Sequence, residues 1–310
     1  MKLLESLCNI KATSGDESAM TKFVLDYVKE KSATWKTKPE VISGDGFQDA
    51  VILVFGKPRT AIFAHIDNIG YAVSYNKNLV RIGGPKGETG WKLVGKDSKG
   101  DIECTLRVKW LWSDGNKKEE LKYRFSRKID RGTPLSFKTN FREKDNTVQS
   151  PYLDNRLGVW NALQVVEGLE NGIIVFTTYE EVGGGSAQFL AKYIQEKYGV
   201  KQALISDITL ATEAIKPKNG VAISMRDKGV PRQSYVRKII GLAKENKIPY
   251  QLEVEDAGGS DGTVLQYSSG VWDWCFIGPP EKNYHTPNEK AWKVDIKAMT
   301  DLYRVLMDKL

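Results

Sequence analysis

LDNRLGVWNALQVVEGLENGIIVFTTYEEVGGGSAQFLAKYIQEKYG, residues 153–199, decides the fold. Its first part, 153–170, reads as a helix. NGIIVFTTYEE (171–181) then enters from an Asn-Gly turn as a run of β-branched and aromatic residues, a strand. SAQFLAKYIQEKYG (186–199) returns to helix. The alternation continues downstream: strand 200–208, helix 230–247, strands 248–256 and 271–278, and a last helix over 294–310. Such alternation implies a layered α/β/α domain around a mostly parallel central sheet. Upstream, 17–31 reads as an amphipathic helix, and DAVILVFG (49–56) and RTAIFAHI (59–66) as adjacent strands.

Residues 71–149 differ in character. They are rich in Gly and Lys, with short β-like runs such as ECTLRVKWLW and ELKYRFSRK, and Asp114-Gly115 between them suits a tight hairpin turn. The expected organisation is therefore a main α/β domain made of 1–70 and 150–310, into which a small all-β, barrel-like domain, 71–149, is inserted.

Composition narrows the classes. No apolar run approaches the ~18 residues of a membrane span, and the N-terminus lacks a secretory apolar core. Three well-separated cysteines, Cys8, Cys104 and Cys275, suggest neither a disulfide framework nor a thiolate metal site. A cytoplasmic location follows as an expectation. The net charge is +7, and residues 71–150 hold 18 Lys+Arg against 10 Asp+Glu, leaving 28 against 29 elsewhere. Acids interrupt this basic segment and no nucleic-acid motif accompanies it, so it reads as a solvated basic surface. The expected partners include no nucleic acid and no membrane.

The polar residues that interrupt the strand pattern gather at one place. In open α/β sheets, ligands bind beyond the carboxyl ends of the strands. RTAIFA runs into His65 and Asp67, IIVFTTY into Glu180 and Glu181, and ALIS into Asp207. WDWCFIG runs into the loop carrying His285, and Asp154 opens the helix that follows residue 152. Each has a bland reading: a core histidine, solvated charge, a helix cap, a strand-end carboxylate. Together they collect both histidines of the chain and several carboxylates on one edge. Imidazole and carboxylate ligands without thiolate suit Zn²⁺, Co²⁺ or Mn²⁺. Two such ions need a shared carboxylate and about two further ligands each. Asp67, two residues beyond His65, can accept its ring N–H. One of Glu180 and Glu181 can bind metal and the other act as general base.

The ordered motifs AHIDNIG, YLDNRLG, TTYEEVGGGSA, ISDIT, AGGSDGT and NYHTPNE resemble the co-catalytic two-zinc aminopeptidases, in particular the tetrahedral, or glutamyl/deblocking, branch. The resemblance runs over nearly the whole chain and also implies the inserted β domain. It implies that Asp154 bridges two metal ions, that His65 and Asp207 complete one site, and that Glu181 and His285 complete the other. Glu180 is then the general base on a metal-bridging water, Asp67 orients His65, and Gly259, Ser260 and Asp261 line the substrate pocket. It also marks Asp154–Asn155 as a candidate for a cis peptide bond. The sequence departs from the branch at Asn68, where an acid is usual, at PPEKNY before His285, where Arg-Tyr is common, and in being somewhat short.

Rival readings use fewer of these residues. GGSDG (258–262) matches a nucleophile elbow, with Ser260, Asp273 and His285 in the order of a serine hydrolase. That reading leaves His65, Asp154, Glu180, Glu181 and Asp207 without a role. A metallocarboxypeptidase or deacylase on a related fold would use a similar ligand set, and a non-catalytic binding protein would lack an essential ligand. GGGS (183–186) lacks the spacing and lysine of a phosphate loop. The expectation is a two-metal aminopeptidase with peptide substrates and further copies of the chain as its partners.

Overall fold

The computed structural model describes residues 1–113, 115–256 and 258–310. Asp114, on which the expected hairpin turn depends, lies outside the described residues. Eight strands form the central sheet: β1 (Glu40–Ile42), β2 (Val51–Phe55), β3 (Thr60–His65), β4 (Gly172–Thr177), β5 (Gln202–Ser206), β6 (Val221–Arg226), β7 (Tyr250–Val254) and β8 (Asp273–Gly278). Their spatial order is β1-β2-β4-β3-β5-β8-β6-β7. The centre, β4-β3-β5-β8, is parallel, as is β6-β7, while β1, β2 and the β6-β8 pairing are antiparallel.

The central strands are apolar because both faces are covered. In β3, Ile62 and Ala64 enter one core together with Val24, Val159, Ile239 and Leu302. Ala61 and Phe63 enter another with Leu190, Ile194 and Leu265. Alternate residues thus face opposite helix layers. Helices α2 (Ser18–Lys31), α3 (Leu153–Val165), α5 (Gln233–Glu245) and α7 (Lys293–Lys309) cover the first face. Helices α4 (Gly185–Tyr198) and α6 (Asp261–Gln266) cover the second. The short α1 (Lys2–Cys8), β6 and α6 extend the expected set of elements.

A six-stranded antiparallel sheet runs from Gly70–Val73 to Pro134–Phe137. It has its own core around Tyr71, Leu93, Leu106, Leu135 and Phe137. A bridge between Asn78 and Lys122 brings its outer strands together, so the sheet curls toward a barrel. Thr147–Ser150, which straddles the expected boundary at 149, pairs with Glu289–Trp292 in a separate five-stranded sheet. That sheet also holds Thr209–Leu210 and Pro280–Lys282. It ties the loop carrying residue 285 to the start of α3.

One close approach sets the position of α3. The Asn155 side chain donates to the Ser206 carbonyl at 2.8 Å and accepts from the Gly158 N–H at 2.8 Å. Ser206 Oγ donates to the Gly158 carbonyl at 3.0 Å. A Cβ on Gly158 would lie 1.9 Å from the Ser206 carbonyl oxygen. Only glycine lets the helix start lie against the end of β5. Gly158→Ala is expected to destabilise the fold by about 1–3 kcal/mol, the usual cost of overpacking a rigid core. Urea unfolding of the two proteins measures it, and an unchanged midpoint would contradict the account.

Candidate metal centre

The parallel strands β3, β4 and β5 end on one edge. His65 is the last residue of β3 and is paired with Thr177, the last of β4, while Asp207 follows the last residue of β5. Glu180 and Glu181 form a single 3-10 turn after β4. Asp154 enters from α3 across a cis Asp154–Asn155 peptide bond, at the position the sequence resemblance marked. His285 comes from the loop between Pro280–Lys282 and Glu289–Trp292.

These residues form two clusters that share one carboxylate. His65 Nε2 lies 3.2 Å from Asp154 Oδ1 and 3.5 Å from Asp207 Oδ2. His285 Nε2 lies 3.4 Å from the other oxygen of Asp154, Oδ2, and 3.4 Å from Glu181 Oε2. His65, Asp154 and Asp207 bring ligand atoms within 4.8 Å of one another, as do Asp154, Glu181 and His285. Glu180 belongs to neither trio. Its Oε2 lies 3.9 Å from His65 Nε2.

A buried polar framework fixes this geometry. Asp67 Oδ1 lies 3.3 Å from His65 Nδ1, close enough for charge attraction but outside hydrogen-bond alignment. Asp67 also accepts the backbone N–H groups of Glu180 and Glu181, at 3.1 and 3.2 Å, and the Ser14 hydroxyl at 2.6 Å. Glu289, fully buried, accepts the N–H of His285 at 3.0 Å and that of Asp154 at 3.3 Å. His285 sits at φ 60°, a left-handed conformation costing about 1–3 kcal/mol for a non-glycine residue. Its Nδ1 lies 2.9 Å from the Gly84 carbonyl, which fixes the ring. Asn68 accepts from Ala12 N–H and from the buried Arg156 guanidinium, so it braces the loop after His65.

Glu289, Ser14 and Gly84 were not singled out from the sequence. Glu289 had a faint signal, a carboxylate four residues after His285. Ser14 and Gly84 act through a hydroxyl and a carbonyl, which nothing in the sequence distinguishes from others.

The electrostatics call for cations. Burial pushes the Glu180, Glu181 and Asp207 carboxyls up, Asp207 to about 6, and neighbouring carboxylates add to the shift. Burial lowers the His65 imidazole, but Asp207, Asp154 and Asp67 outweigh it and hold the ring well above its usual range. His285 is raised in the same way by Asp154. Asp154 is held low, because the two imidazoles outweigh its burial. Buried Glu181 Oε1 has no hydrogen-bond partner. Among the described residues, no lysine or arginine pairs with these acids. The donor set of two imidazoles and three carboxylates fits divalent ions of the zinc type.

A proton count follows. Metals bind the deprotonated ligands, so loading must expel protons held by His65 and the raised carboxyls. Zinc titrated into the metal-free protein near pH 7 is expected to release roughly one to two protons per chain. Because the raised groups hold more protons as pH falls, apparent affinity should rise with pH from 6 to 8. Calorimetry in buffers of different ionisation enthalpy measures both, and pH-independent binding without proton release would refute it.

The clusters open into a cavity of about 670 Å³. Gly259 and Ser260 line it, whereas Asp261 lies behind, buried, accepting the Thr177 hydroxyl at 2.6 Å. The serine-hydrolase arrangement does not form. Ser260 Oγ caps α6, accepting from Gly262 N–H, and donates to Asp227. Asp273 opens β8, opposite Gln202 at the start of β5, and pairs with Arg232. It is therefore a strand length, roughly 16 Å, from the edge that carries His285. No helix among the described residues is long and apolar enough to cross a membrane.

Comparison with known proteins gives a family and a shared fold. A family described as M42 glutamyl aminopeptidase matches residues 108–302. A curated protein of Acetivibrio thermocellus, whose name assigns it provisionally to the aminopeptidases, is 27% identical over 95% of this chain and 94% of its own. Among solved structures, an aminopeptidase of the archaeon Desulfurococcus kamchatkensis superposes with a TM-score of 0.86 at 21% identity, covering 100% of this chain and 94% of that one. The Pyrococcus horikoshii TET1 peptidase, described as assembling into a tetrahedron or a large octahedral shell, gives 0.82 at 21% identity, covering 100% and 99%. At these identities the two structures show the shared fold.

Proposed function

The chain belongs to the M42 glutamyl aminopeptidase family and is a metal-dependent aminopeptidase, and on that premise we propose a two-metal mechanism with assigned residues. His65 and Asp207 would hold one divalent ion, Glu181 and His285 would hold the other, and Asp154 would be shared between them. Zinc is the expected metal, with cobalt or manganese as substitutes. The observation that carries this reading is that the two oxygens of Asp154 face different histidines.

Bound there, the ions supply Lewis acidity toward the scissile carbonyl and toward water. The protein's own residues do the rest. Glu180, outside both trios, takes a proton from the attacking water and returns it to the leaving amine. Asp67 keeps the Glu180-Glu181 backbone in place and orients His65. Gly259 and Ser260 line the substrate path, with Asp261 supporting their turn through Thr177. The substrates are peptides with a free N-terminus.

We also propose that residues 70–137 form the inserted unit. The strand 147–150 pairs with 289–292 and the strand 142–144 pairs with 147–149, which favours a boundary before them over one at 149. The contact of His285 with Gly84 supports a role for this unit at the substrate entrance. The tetrahedral and octahedral assemblies of the Pyrococcus horikoshii peptidase favour a homo-oligomer here too, which native mass spectrometry tests. Three free, buried cysteines suit a cytoplasmic location.

The deciding experiment pairs metal content with chelation. About two metal ions per chain are expected, with aminoacyl-amide hydrolysis lost in 1,10-phenanthroline and restored by Zn²⁺ or Co²⁺. Chelator-resistant hydrolysis, or full activity with one equivalent of metal, would overturn the two-metal reading.

A further inference from the structure

The catalytic cavity continues away from the metal ligands, past the ends of β6 and β7. There its wall carries three acids, Asp227, Glu253 and Glu255, and one lysine, the exposed Lys228. Two of the acids are deeply set: Glu253 is 3% exposed and Asp227 8%. Asp227 accepts the Gly229 N–H at 2.5 Å and the Ser260 hydroxyl at 3.2 Å. Glu253 Oε1 accepts the Thr209 hydroxyl, and the Ser224 hydroxyl lies beside the same carboxyl. No lysine or arginine among the described residues forms an ion pair with any of the three. Arg226, directly before Asp227 in sequence, directs its guanidinium to the Glu255 carbonyl at 2.6 Å.

Buried carboxylates without a cation are costly, and a cation carried in by a ligand offsets that cost. Burial accordingly raises both Glu253 and Asp227 above the usual carboxylate range. Their position gives the ligand. Thr209, which holds Glu253, is two residues beyond Asp207, and Ser260, which holds Asp227, lines the same cavity. A substrate with its scissile carbonyl at Glu180 and Asp207 can direct its first side chain along this wall. The four-carbon stem of lysine suits that reach, with its cation at the far end.

We propose that Glu253 and Asp227 receive the side-chain cation of the substrate, making the enzyme selective for N-terminal lysine and arginine. This rests on the aminopeptidase reading above. It departs from the glutamyl label of the family, because a glutamyl side chain would meet three carboxylates and a single solvated lysine.

The test uses the metal-loaded full chain and p-nitroanilides of Lys, Arg, Leu and Glu. The kcat/KM for Lys and Arg is expected to exceed that for Leu by roughly tenfold and for Glu by roughly 100-fold or more. Glu253→Gln should lower the Lys/Leu ratio of kcat/KM by roughly 10–100-fold. Free lysine should inhibit the wild-type enzyme roughly tenfold better than norleucine, its uncharged counterpart, a comparison that needs no variant. Preference for Leu or Glu, equal inhibition by lysine and norleucine, or an equal loss on Lys and Leu in a folded Glu253→Gln protein would each overturn the assignment. Failure to cleave any of the four substrates would instead overturn the aminopeptidase reading on which it rests.

Discussion

Glu180→Gln is expected to lose roughly 10²–10⁴-fold in kcat while keeping its full metal content. The two halves of that expectation come from separate features. Glu180 stands outside both ligand trios, so the change removes no metal ligand. Glutamine has nearly the same shape, and the backbone of residue 180 stays anchored on Asp67. What disappears is basicity. Burial raises the Glu180 carboxyl, and Asp207, Asp261 and Asp67 push it further against the opposing pull of His65. A raised carboxylate accepts a proton more readily than an ordinary one, whereas an amide does not accept one. The loss corresponds to about 3–5 kcal/mol of barrier. Steady-state kinetics with metal analysis on the same sample decides it. Turnover within threefold of wild type would remove Glu180 from the proton-transfer role.

The second large effect is expected at Asp154. Its Oδ1 faces His65 and its Oδ2 faces His285, so one side chain serves both clusters. Asp154→Asn removes the charge and one acceptor oxygen together. Both ions should then bind weakly, and kcat/KM should fall on the order of 10³-fold or more, since several kcal/mol of charge stabilisation are lost. His285→Ala should behave differently, losing one metal equivalent and sparing the trio of His65, Asp154 and Asp207. Metal titrations of the two variants separate the cases. If the Asn protein retained two tightly bound ions, Asp154 would not be the bridge.

Much of this was legible in the chain. The runs VILVF, TAIFAH and GIIVFT read as strands because burial on both faces leaves no room for polar alternation. His65, Asp154, Glu180, Glu181, Asp207 and His285 stood out because polar residues that end apolar strands need a reason. The short pieces were harder. β6, in which Val221, Ala222, Ile223 and Ser224 are buried, lies in an otherwise polar stretch. The strand Thr147–Ser150 gave no local hint that its partner was Glu289–Trp292, because that pairing spans some 140 residues. Asp273 and His285 follow Ser260 in hydrolase order along the chain, yet Asp273 sits at the far end of its strand.

The sequence by itself determined which segments are apolar on two faces, and hence a layered α/β domain. It also determined the identity of the imidazole and carboxylate groups at the strand ends. Those properties are carried by side-chain chemistry and spacing within one segment. Tertiary structure alone decided that Asp154 faces both histidines, that Glu289 holds the backbones of Asp154 and His285 together, and that Glu253 and Asp227 share the cavity with the metal ligands. Each of these joins groups far apart in the chain through distances of a few ångströms. Such distances depend on how sheets, helices and a single close approach at Gly158 pack together, and no local pattern of residues encodes them.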